Sequence, residues 1–103
     1  MPQVKAKTMR LDKLEKHALD KAIENVAGQV YMFGSRVNEK AKGGDIDLLI
    51  FSQQDSLTLS LKVAREFTLL CDERIDVVVM DDQNLTPEQK AFLNTIDKQE
   101  LIK

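Results

Sequence analysis

An α/β layer fold is what this sequence predicts, on three observations. Segments with helical spacing alternate with short apolar runs, in the order helix, strand, loop, strand, helix, strand, helix. Two of the apolar runs share one pattern, carboxylates leading into an aliphatic stretch: Asp45-Ile46-Asp47-Leu48-Leu49-Ile50 and Arg74-Ile75-Asp76-Val77-Val78-Val79. At 103 residues, 43% hydrophobic and 31% charged, the chain has the composition of one folded domain spanning residues 1–103.

The first element is a helix over roughly residues 9–27. Its apolar residues Leu11, Leu14, Ala18, Ala22, Ile23 and Val26 recur as one stripe, and Gly28 stands where a C-cap glycine belongs. Val30–Phe33 follows as a short strand stopped by Gly34. The polar loop from Ser35 to Gly44 has no usable periodicity. Asp45–Phe51 is the second strand, and its unbroken run Leu48–Phe51 predicts cover on both faces. Asp55 or Ser56 caps a second helix reaching about Cys71, with Leu57, Leu61, Ala64, Phe67, Leu70 and Cys71 turned inward. Ile75–Met80 is the third strand, which Asp81-Asp82 terminate. Thr86-Pro87-Glu88-Gln89 opens a helix with a capping box and proline at its first position. The remainder, carrying Phe92, Leu93, Ile96, Leu101 and Ile102, reads as one or two short helices.

Composition excludes several classes of function. No apolar run approaches the roughly 20 residues that span a bilayer. The start, MPQVKAKTMRLDKLEKH, lacks a signal peptide's apolar segment, which predicts a cytoplasmic protein. A single cysteine, Cys71, allows neither an internal disulfide nor a cysteine-based zinc site, and on its helix stripe it reads as core. His17 reads as surface. Residues 1–42 hold nine Lys/Arg against five Asp/Glu, and residues 43–103 six against twelve. The basic half suits a nucleotide or an acidic partner. With 5% aromatics and a net charge of −2, the chain is not read as a binder of long nucleic acid.

The chemistry gathers in Tyr31–Ile50. Asp45 and Asp47 are two apart on a strand, so both carboxylates face one way. Such a pair is costly without a cation between them. If the two patterned strands are neighbours, Asp76 joins them at one end of the sheet. Magnesium takes oxygen ligands and joins carboxylates to substrate phosphates, and two such ions serve an in-line displacement. Asp76 is also placed to accept a proton from an attacking hydroxyl. Upstream, Gly34-Ser35 gives room for backbone to approach phosphate oxygens. Arg36, beside that turn, is the cation best placed to neutralise triphosphate charge, ahead of Lys40 and Lys42.

Gly34-Ser35, nine intervening residues, Asp45-x-Asp47 and a later strand carrying Asp76 together resemble the minimal nucleotidyltransferases of the DNA polymerase beta superfamily. The resemblance covers nearly the whole chain. It departs from the family pattern at Glu39, where relatives often carry glycine, and at Gly44, where they carry serine. It implies a small mixed β-sheet flanked by helices, the polymerase beta palm-like nucleotidyltransferase fold. Asp45 and Asp47 would bind magnesium, in all two ions. Asp76 would be both metal ligand and catalytic acid–base, and Gly34-Ser35 would hold the phosphates of ATP. The resemblance also implies a partner. Many such proteins are antitoxins paired with a helical HEPN ribonuclease toxin, which they adenylylate on tyrosine and contact directly, so a hetero-oligomer is expected.

Overall fold

The computed structural model describes residues 11–37 and 44–102. Helix α1 (Lys13–Ile23) is followed by strand β1 (Gln29–Phe33), a 3-10 turn (Gly34–Val37) and strand β2 (Ile46–Phe51). Helix α2 (Ser56–Thr68), strand β3 (Ile75–Met80), helix α3 (Pro87–Leu93) and strand β4 (Lys98–Leu101) complete the order. Among the described residues the sheet has four strands in the order β3-β2-β1-β4. β2 runs antiparallel to β1 and parallel to β3, and β4 is antiparallel to β1. This is the mixed sheet flanked by helices that the resemblance implies.

Local chemistry accounts for the helix boundaries. Asp12 caps α1, its carboxylate accepting from the Glu15 amide while the Glu15 side chain accepts from the Asp12 amide. Asp55 caps α2 through the Thr58 amide, and Thr86 with Gln89 closes a capping box on α3 behind Pro87. α1 is shorter than its apolar spacing predicts, with Glu24 as its C-cap. Gly28 lies beyond the helix at φ 105°, where a side chain would strike the Phe51 carbonyl oxygen.

α1 and α2 cover one face of the sheet. Ala18, Leu19, Ala22 and Ile23 meet Leu59, Val63 and Phe67 over Val30, Met32, Ile46, Leu48, Ile50 and Leu101. Each large side chain buried there contributes about 1.5–3 kcal/mol. Leu49, fully buried, points to the other face between Tyr31 and Val78, outside that cluster. α3 reaches this second face, where Phe92 meets Phe33 edge to face at 5.6 Å. β2 is therefore covered on both sides, as its apolar run predicts.

Three expectations are corrected. The inward face of α2 is Leu59-Val63-Phe67, while Leu57, Leu61 and Leu70 are 65%, 60% and 43% exposed. In α1, Leu14 is 54% exposed and Leu19 takes its place in the core. Both helices carry apolar residues on two faces, so spacing alone does not choose the buried one. Lys98–Leu101 is a strand rather than helix, because the free edge of β1 offers hydrogen bonds that outweigh the weak local preference of Lys-Gln-Glu-Leu. No helix among the described residues is long and apolar enough to cross a membrane.

Candidate active site

Parallel pairing of β2 with β3 sets Asp47 directly beside Asp76, and antiparallel pairing with β1 sets Phe33 on the other side of Asp47. Directly opposed residues share a face. Both carboxylates therefore stand on the face that α1 and α2 leave open. Asp45 precedes β2, with its Oδ2 3.9 Å from Nε of the exposed Arg74. Gly34, which follows Phe33, has φ 80°, and a β-carbon there would stand 2.5 Å from Asp47 Oδ2. Gly44 has φ 95°, and its β-carbon would strike the Ser35 hydroxyl. The Gly34-Ser35 turn and the entry to β2 thus lie against each other. The fold brings Gly34, Ser35, Asp45, Asp47 and Asp76 to one end of the sheet.

Burial raises the Asp47 pKa above the ordinary carboxylate value, and the charges of Asp76 and Asp45 raise it further. A hard divalent cation relieves that crowding, and carboxylate oxygens are the donors magnesium takes. The donor set fits such an ion. Even so, no three His, Cys, Asp or Glu side chains gather into a metal-binding cluster among the described residues. The convergence predicted for three acids is met as an adjacent pair, Asp47 and Asp76, with Asp45 flanking it toward Arg74.

Arg36 departs furthest from expectation. Its side chain is turned inward, 7% exposed, rather than toward the space where a triphosphate would lie. Nη1 and Nη2 donate to Glu15 Oε1 and Oε2 at 2.9 Å each, and Nε donates to the Gly44 carbonyl at 3.0 Å. Hydrogen bonding to Glu15 is the main cause that lifts the guanidinium pKa above its usual value. It bonds to Glu15 and Gly44 where the sequence suggests a phosphate contact. Glu15 is the residue that sequence reasoning missed. Two signals mark it: the Asp12-x-x-Glu15 capping box, and a place on the stripe with Ala18, Leu19 and Ala22 where a solvent-facing acid does not belong.

The remaining candidates fall out simply. His17 is exposed and Cys71 buried, as read. Asp81 closes the turn after β3, accepting from the Gln83 amide and the Asn84 side chain. Glu39, Lys40 and Lys42 lie outside the described residues.

The family model described as Polymerase beta, Nucleotidyltransferase matches residues 15–99, from Glu15 in α1 to Gln99 on β4. The chain belongs to this nucleotidyltransferase family. No curated protein matches it. Nucleotidyl transfer is accordingly its general activity, and the family generally uses a nucleoside triphosphate with a divalent metal. In this nucleotidyltransferase one of the acids, Asp76, lies exposed on the edge strand β3. A groove of about 520 Å³ runs from Leu61, Ala64 and Arg65 of α2 past Arg74 to Asp76.

Proposed function

We propose that this nucleotidyltransferase transfers AMP from ATP, with magnesium, to a tyrosine of a partner protein, acting as the antitoxin to a helical HEPN ribonuclease. The observation that carries the transfer reading is the pairing of Asp47 with Asp76 beside Gly34. The protein-acceptor reading is supported by the exposed leucines of α2 and by the groove linking Leu61 to Asp76.

Asp45, Asp47 and Asp76 would hold the metal, which when bound offsets phosphate charge and polarises the reacting oxygens. The Gly34-Ser35 turn lets backbone approach the triphosphate where a larger residue would collide with Asp47. The acceptor hydroxyl would reach the acids past Asp76 at the β3 edge and attack the α-phosphorus in line with the leaving pyrophosphate. A new O–P bond forms, the bond to the bridging oxygen breaks, and pyrophosphate leaves. Asp76, exposed on the edge strand, takes the hydroxyl proton.

The test incubates the chain and its partner with magnesium and labelled ATP. Label on the partner, lost with Asp45→Asn/Asp47→Asn, is the expected result. No transfer by the wild type, or equal transfer by the double variant, would sink the proposal.

A second reading is a binding module that neutralises the partner by occlusion alone. The approach of Arg74 to Asp45 favours it, since that contact engages one of the metal-facing carboxylates. Here the double variant still rescues cells from the partner. If it forms the complex and fails to rescue, occlusion is excluded.

A further inference from the structure

Arg36 ties the Gly34–Val37 turn to Gly44, at the entry to β2. Its fork on Glu15 fastens the 3-10 turn to the first turn of α1. The third direction of the same guanidinium holds the Gly44 carbonyl. On the far side of Asp45, the Ile46 amide donates to the Arg74 carbonyl at 3.0 Å. Asp45 thus sits between two backbone anchors, one held by Arg36 and one by β3. Glu15 is itself held, because its Oε1 accepts the Asp12 amide at 3.0 Å.

A buried ion pair is weak evidence for stability, since desolvation offsets most of its Coulomb gain. Two apolar side chains of similar volume would bind α1 to the sheet as well. They would not hold the Gly44 carbonyl, and lysine, lacking the planar fork, could not serve Glu15 and Gly44 together. The geometry therefore serves placement.

We propose that Arg36, oriented by Glu15, is a positioning residue that sets the Gly34-Ser35 turn against the Asp45 and Asp47 carboxylates. Its placing role rests on reading those acids as metal ligands. Arg36 acts through the Gly44 carbonyl and the start of β2.

Two readouts on the full chain test it, using Arg36→Lys, Glu15→Gln and a core control, Val63→Ala. The first is amide hydrogen exchange at the two ends of the β2–β3 ladder, Ile46 N–H on Arg74 and Ser52 N–H on Met80. Releasing the clamp should speed exchange at Ile46 relative to Ser52 about fivefold or more. The second is Mn2+ affinity, read from the electron paramagnetic resonance signal of the free ion. It should weaken about 10–100-fold in both clamp variants and stay at the wild-type value in Val63→Ala. An unchanged Ile46-to-Ser52 ratio in both clamp variants overturns the proposal whatever the metal does. So does wild-type Mn2+ affinity in variants whose ratio has risen, or an equal affinity loss in Val63→Ala. A wild-type chain that takes up no Mn2+ overturns the metal reading instead, and the exchange ratio alone then decides the clamp.

Discussion

Gly34 and Asp47 are in contact across the β1–β2 pair: a single added carbon on Gly34 would stand 2.5 Å from Asp47 Oδ2. Backbone curvature at the turn and carboxylate position are thereby one property. Gly34→Ala should lower stability by about 1–3 kcal/mol, because φ 80° strains any side chain. It should also displace Asp47 and abolish nucleotidyl transfer. Thermal melting and the labelled-ATP assay check the two effects separately. A folded Gly34→Ala chain with full activity would show that Asp47 does not need its observed place.

Asp47 makes the metal-free protein pH-sensitive. Its folded pKa is raised, so between the ordinary aspartate value of about 3.9 and that raised value the folded chain binds more protons than the unfolded one. The Asp47 contribution to stability is therefore present at low pH and lost as pH rises through the folded pKa. Asp47→Asn should raise the melting temperature in chelator at pH 7, and the gain should vanish near pH 3. A drop at pH 7 would mark Asp47 as a structural cap.

Glu15 and Arg36 should fail singly and recover together. Glu15→Leu or Arg36→Met takes the main partner from a buried charge and should cost about 3–5 kcal/mol. The double variant should lose less than either single one. Urea unfolding of all four chains gives the coupling; additive losses would mean that the pair is not a unit.

Leu57 and Leu61 stand 65% and 60% exposed on α2. Leu57→Asp and Leu61→Asp should leave stability within about 0.5 kcal/mol while preventing co-purification with the partner. Val63→Asp, on the buried face of the same helix, should unfold the chain. Complex formation by Leu61→Asp would move the partner away from the groove beside Asp76.

Features with a local cause were legible in the sequence. The β-branched run Val77–Val79 favours strand, and Thr86-Pro87 with Gln89 fixes the start of α3 by its own hydrogen bonds. The pairing of Asp47 with Asp76 was legible too, because two matched strand patterns in one small fold tend to be neighbours. Where the decisive partner is distant, reading fails. Arg36 looks like a phosphate ligand from its place beside Gly34-Ser35, and it is Glu15, 21 residues upstream, that takes both ends of its inward fork. Leu61 and Val63 are equally apolar, so what buries one and exposes the other is α1 and the sheet. Lys-Gln-Glu-Leu has no strand character until β1 presents its edge.

That last strand has a consequence for biosynthesis. As the chain leaves a ribosome β1 finds β2 within one loop, while its other edge waits for Lys98–Leu101, made after every other described element. Until they arrive, β1 shows a row of unpaired backbone groups beside Phe33 and Tyr31, a template for any extended chain nearby. Nascent chains stalled before residue 98 should be the form of this protein most prone to aggregate.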